Sequence, residues 1–141
     1  MPQIMPIGRV AKLTGVKVPT IRYYEEIGLL PAPPRTDSNR RTYDDSDVRR
    51  LKFIRHAREL GFDPEAIREL LALAAMPEQP CMDADTIART HLAETEAKIA
   101  RLIALREELQ AMIERCTHGR VRECRVIEVL ADHGECIYEQ H

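Results

Sequence analysis

The sequence predicts a mainly α chain: an N-terminal winged helix-turn-helix domain followed by a long dimerisation helix that forms an antiparallel coiled coil. Three observations carry this expectation. Two short apolar-patterned segments stop at Gly15 and Gly28, a Pro-rich and Arg-rich stretch follows them, and the run from Cys81 to His118 contains neither Gly nor Pro. The expected divisions are residues 1–75 for the winged domain, 76–82 for a linker, 83–117 for the long helix, and 118–141 for a loop and C-terminal tail.

Each element has a local cause. Ile7, Val10, Ala11 and Leu13 give the first segment an apolar side, and Gly15 supplies the left-handed residue that ends a helix. Pro19 presets the first turn of a second helix that runs to Gly28. Two helices joined around a glycine make a helix-turn-helix. Ile21 and the Leu29–Leu30 pair face the expected core, leaving Lys17, Thr20, Arg22 and either Tyr23 or Tyr24 for groove and phosphate contacts. Pro31, Pro33 and Pro34 exclude a helix interior, and the turn cluster Asp37-Ser38-Asn39 is followed by basic and β-favouring residues. That pattern predicts a hairpin, or wing, offering Arg35, Arg40, Arg41 and Tyr43 to phosphates; a plain basic loop has the same composition. Asp44, Asp45 or Ser46 caps a helix carrying Val48, Leu51, Ile54, Ala57 and Leu60 up to Gly61. Asp63-Pro64 opens another, striped by Ile67, Leu70 and Leu71.

Charge divides the chain in the same way. Residues 1–60 carry twelve Lys or Arg against seven Asp or Glu, a net of +5, whereas residues 61–141 carry a net of −7. A basic half on an acidic remainder suggests that the first half meets a polyanion such as double-stranded DNA, although a solvated surface has the same charge. No apolar stretch approaches the ~20 residues that span a bilayer, and Met1–Pro6 lacks an apolar core of signal-peptide length. The expectation is a cytoplasmic protein with no membrane partner. The sequence contains no Gly-rich phosphate loop, Ser-His-Asp arrangement or carboxylate pair in an apolar context, so it is not expected to be an enzyme.

Ile7-Gly8, Gly15-Val16, Thr20-Ile21-Arg22-Tyr23-Tyr24-Glu25, Ile27-Gly28-Leu29-Leu30, Arg41-Thr42-Tyr43 and Leu60-Gly61-Phe62 together resemble the N-terminal domain of MerR-type transcription regulators. The likeness covers residues 5–73 and implies a winged helix-turn-helix that binds a palindromic operator as a homodimer. It also implies how such a dimer would act. The operator lies in an over-long promoter spacer, and the effector-bound dimer bends and untwists it so that RNA polymerase engages both promoter elements.

Along the Gly- and Pro-free run, Leu92, Ile99, Leu102, Leu105, Leu109, Met112 and Ile113 recur at three-, four- and seven-residue steps, a seam that needs a partner helix. Too little chain follows to cover it, so homodimerisation is expected. The four cysteines, Cys81, Cys116, Cys124 and Cys136, include no Cys-x-x-Cys pair. In a reducing compartment they bind metal, sense oxidation or lie inert. Thirty-five helical residues hold Cys81 and Cys116 roughly 50 Å apart in one chain. Antiparallel pairing instead brings Cys81 of one subunit toward Cys116 and Cys124 of the other, in two equivalent sites. Three thiolates select a soft divalent ion: Zn(II), Cd(II), Pb(II) or Hg(II).

This arrangement resembles the metal-responsive branch of the family, where a Cys before the dimerisation helix joins two loop Cys of the other subunit. Copper-sensing members carry Ser at the position of Cys81. The resemblance therefore favours the cadmium- and lead-responsive members, and Cd(II) or Pb(II) as effector. Candidate auxiliary ligands are His91, which matches a second-site position in some cadmium-sensing relatives, together with His118, His133 and Cys136; the last reads as part of a flexible tail. His56 reads as structural. Two other readings remain: a thiol-redox regulator of the same fold, using a Cys116–Cys124 disulfide, and a zinc-stabilised structural dimer that does not switch.

Overall fold

The computed structural model describes residues 4–116, 118–138 and 140. Thr117 of the expected loop and His141 beside the tail lie outside the described residues, as do positions 1–3. The chain divides into two compact units, Met1–Ile87 and Ala88–His141. The boundary falls inside the long helix, whose first turns go with the N-terminal unit.

The first unit contains β1 (Met5–Pro6), α1 (Ile7–Thr14), α2 (Val18–Glu26), β2 (Thr42–Tyr43), α3 (Asp45–Glu59), α4 (Pro64–Ala74) and the start of α5 (Met82–Glu114). Its helix ends follow the sequence closely. Gly15, Gly28 and Gly61 all take positive φ, at 72°, 79° and 87°. Asp44 caps α3 in a full capping box with Asp47, and Asp63 caps α4 through the Ala66 N–H. Val10, Ile21, Leu29, Leu30, Leu51, Ile54 and Ile67 form the centre of one buried core. Leu60 does not join them. It follows α3, with 58% of its surface exposed, because the chain is already turning toward Gly61.

Three arginines fasten the helix ends to this core. Arg55 of α3 donates to the Thr14 carbonyl at 2.7 Å, Arg50 to Leu29 at 2.6 Å, and Arg68 of α4 to Ile27 at 2.6 Å. Each places positive charge on a carbonyl at or just beyond the end of α1 or α2, where a helix has no partner of its own. Part of the basic excess of this half is therefore structural.

The wing forms as expected, with an unexpected neighbour. Arg35 and Arg41 make an antiparallel bridge, and Asn39 takes φ 64° at the tip. At its base β2 pairs antiparallel with β1, placing Met5 opposite Tyr43. Met5 is buried there.

The second unit contains the remainder of α5, a 3-10 turn at Val121–Glu123, α6 (Arg125–Ala131) and a 3-10 turn at His133–Glu135. The helix ends at Glu114, short of the expected residue 117, and Cys116 closes the end with a tighter bond from its N–H to the Ile113 carbonyl. Glu108, Met112 and Val129 are buried. The flexible tail is a correction: Arg125 holds Glu135 at 2.9 Å, the Tyr138 N–H reaches buried Glu108 at 2.8 Å, and the Tyr138 hydroxyl bonds Glu107. A buried carboxylate needs donors, and the tail supplies one. Among the described residues, no helix is long and apolar enough to cross a membrane.

Candidate functional site

Two groups of residues carry chemistry, one in each unit. In the first, Lys17 precedes α2 as its N-cap, and Thr20, Arg22 and Tyr23 lie on the helix. Lys17, Arg22 and Tyr23 are exposed and Thr20 is half-buried. Arg35 and Arg40 are exposed on the wing, with Arg35 also donating to the Asn39 carbonyl at 3.3 Å. All six side chains are polar or basic, the chemistry that suits a nucleic-acid backbone and groove.

Two expected contact residues belong elsewhere. Tyr24 and Tyr43 retain only 8% and 2% of their surface and lie in the core, so neither ring is available to DNA. Tyr24 stands three residues after Ile21, hence on the same helical face, a spacing that separates it from Tyr23. Tyr43 donates its hydroxyl to the Glu25 carboxylate. Burial, followed by this bond and the Glu25 charge, pushes the Tyr43 phenol well above its ordinary range. Arg41 is half-buried and pairs with the other Glu25 oxygen at 3.2 Å. Glu25, absent from the expected site, thus joins α2 to β2.

In the second unit, the chain after α5 turns back through His118, at φ 56°, and brings the Cys116 thiol near enough to Cys124 to favour its thiolate. Cys124 is the N-cap of α6. The Ile127 and Val126 N–H groups, and then the Cys116 thiol, hold the Cys124 thiol below its ordinary range by stabilising the thiolate. His118 Nδ1 lies 4.0 Å from Cys116 Sγ. A thiolate-forming pair with an adjacent imidazole fits a soft metal ion by donor type, but it is incomplete. Among the described residues, no group of three His, Cys, Asp or Glu side chains is positioned to hold one.

The other candidate ligands are not part of this pair. Cys81 is exposed just before α5 and belongs to the first unit. Cys136 is half-buried; burial and the charge of Glu108 push its thiol up. His91 is half-buried on α5 with Nδ1 3.8 Å from Glu94, and His133 opens the final 3-10 turn. Along α5, Leu92, Ile99, Leu102, Ile103 and Leu109 stay exposed, Leu102 with 62% of its surface uncovered. Folding of a single chain leaves this seam without a cover.

Comparison with known proteins identifies the family. Residues 5–74 match the MerR HTH family regulatory protein family, and residues 48–112 match the MerR DNA-binding family. The chain is 44% identical over 131 residues to the HTH-type transcriptional regulator HmrR of Sinorhizobium medicae, covering 92% of this chain and 88% of that protein. It is 43% identical over 129 residues to heavy metal-dependent transcription regulator 2 of Rhizobium meliloti, covering 91% and 87% respectively. The crystal structure of the transcription regulator PbrR691 from Ralstonia metallidurans CH34 in complex with lead(II) superposes with a TM-score of 0.80. Its identity to this chain is 36%, over 89% of this chain and 98% of that one.

Proposed function

The chain belongs to the MerR family of helix-turn-helix regulatory proteins, and from that membership we propose that it is a homodimeric transcription activator switched by a soft divalent metal ion. One observation above all supports the reading: Cys116 and Cys124 meet at the start of α6, with the Cys124 thiol held below its ordinary range. Cys81 of the partner subunit supplies the third thiolate. The uncovered seam of α5 is where the two copies join. Three thiolates around a divalent ion leave a net charge near −1, which Arg115 and Arg120 in the surrounding run offset. Pb(II) and Cd(II) are the preferred effectors, the likeness to a lead-bound regulator adding to the softness of the donors.

The protein's own residues do the rest. Each subunit presents Lys17, Thr20, Arg22 and Tyr23 to a half-site, and Arg35 and Arg40 to phosphates alongside it. Metal binding draws the end of α5, the loop and α6 together through Cys116 and Cys124, favouring one of two dimer arrangements. Bending and untwisting the promoter costs on the order of a few kcal/mol, which must come from the difference in metal affinity between those arrangements. RNA polymerase then reads the realigned promoter.

Transcription from a linear promoter template, with footprinting at each metal concentration, tests this reading. The expected result is graded activation by Pb(II) or Cd(II) while the dimer protects its operator with and without metal. Release of the operator on metal addition would contradict it. The proximity of Cys116 and Cys124 also favours a second reading, activation by a disulfide between them. In that case a thiol oxidant would activate the template in the absence of metal.

A further inference from the structure

We propose that Glu25 is a positioning residue that fixes the wing to the recognition helix α2 and so sets where the phosphate-binding arginines fall relative to the groove-reading face. The inference rests on the DNA-binding reading above and concerns no metal. Glu25 stands on α2, its side chain 8% exposed. One carboxylate oxygen accepts the Tyr43 hydroxyl and the other pairs with Arg41 Nε at 3.2 Å.

The base of the wing is held by the β1–β2 pairing and by Tyr43 in the core, but the arm beyond it has few ties. Its own pairing is the single Arg35–Arg41 bridge, extended by bonds from Thr36 N–H to the Arg40 carbonyl and from Thr42 N–H to the Pro34 carbonyl. At the base, β2 is two residues long. A hairpin this short does not set its own angle. A buried ion pair adds little net stability, because desolvation offsets attraction, but it does select one arrangement of the groups it joins. Here it joins the helix carrying Thr20, Arg22 and Tyr23 to the strand end that bears Arg35 and Arg40. Without the tie, only the base pairing and the burial of Tyr43 set the distance of the wing charges from the groove contacts.

The salt dependence of binding to a promoter duplex, selected by the wild-type protein from a random-sequence pool, tests this. Each phosphate contact adds about 0.9 to the slope of log affinity against log salt. Replacing the tip charges, Arg35→Gln/Arg40→Gln, should lower the slope by about 2 to 4 per dimer. The tie variant Glu25→Gln/Arg41→Gln, which removes the buried Glu25 charge together with that of its half-buried partner and frees neither, should lower it by a similar amount. Combining all four substitutions should lower it little further, a non-additivity that general loss of stability does not produce. Tyr43→Phe, which deletes only the hydroxyl, should move the slope in the same direction and serves if the double variant fails to fold. A wild-type slope in a folded tie variant, or in folded Tyr43→Phe where the tie variant does not fold, overturns the proposal. So do additive losses. A wild-type duplex affinity indifferent to salt overturns the DNA-binding reading and the tie with it.

Discussion

In Cys124→Ser, affinity for lead(II) should fall by well over the roughly 10–100-fold that losing an outer partner of a metal site costs, while operator binding by the metal-free dimer stays unchanged. The substitution separates ligation from folding. Cys124 is the N-cap of α6, where the Ile127 and Val126 N–H groups favour its thiolate, and serine is among the best residues for that position. The helix start therefore keeps a residue suited to it. What goes is the thiolate that those N–H groups stabilise, replaced by a hard hydroxyl that a soft ion binds poorly. The DNA-facing residues belong to the other unit and are untouched. A metal titration and a gel shift on the same preparation check both halves, and unchanged lead affinity would remove Cys124 from the site.

Gly15→Ala should destabilise the winged domain by about 2 kcal/mol, a sizeable share of the roughly 5–15 kcal/mol that holds a domain together. Gly15 sits at φ 72°, and a side chain there costs about 1 kcal/mol or more. A comparable part comes from Arg55. A Cβ on residue 15 would lie 2.0 Å from Arg55 Nη1, the atom that donates to the Thr14 carbonyl. The guanidinium, at the far end of a flexible side chain 49% exposed to water, must move and give up that bond, at a cost of about 1 kcal/mol once water replaces it. Gly28 makes the internal control: its φ is 79°, but a Cβ there would meet Arg68 Nη1 at an ordinary 3.8 Å. Gly28→Ala should cost only about 1 kcal/mol. Urea unfolding of the three proteins measures the difference, and equal losses at the two glycines would mean that Arg55 contributes nothing.

The glycines also mark what could be read from sequence. Gly15, Gly28 and Gly61 end their segments with positive φ, and Asp44 and Asp63 cap the next ones. Local chemistry fixes such features, so local patterns reveal them. The apolar positions Ile21, Leu51, Ile54 and Ile67 follow the helical period into the core. Contacts between distant segments were less legible. Arg55 reaches Thr14 across 41 residues, as Arg68 reaches Ile27, and nothing in a run of arginines distinguishes a fastener from a phosphate ligand. Tyr43 and Arg41 looked like DNA contacts for the same reason, since their partner Glu25 lies on another element. The tethered tail depends on Glu108 being buried, and the coiled-coil pattern alone does not indicate that.

At the candidate metal site, sequence identified the thiols and structure brought two of them together. Cys116 and Cys124 are eight positions apart, close enough for one loop to join them. Cys81 lies before the long helix, and its part in the site depends on a second subunit. That cross-subunit sharing is the central claim.

Mixed dimers test it most directly. Cys81→Ser subunits are combined with Cys116→Ser/Cys124→Ser subunits, the mixed species is isolated with two affinity tags, and thiolate-to-lead charge-transfer absorbance is followed during titration with lead(II). Neither parent homodimer retains a complete site. If the thiols come from opposite subunits, the mixed dimer regains one, through Cys81 of the second chain and Cys116 and Cys124 of the first. It should bind one lead(II) with wild-type affinity. A mixed dimer that binds none would contradict the shared site.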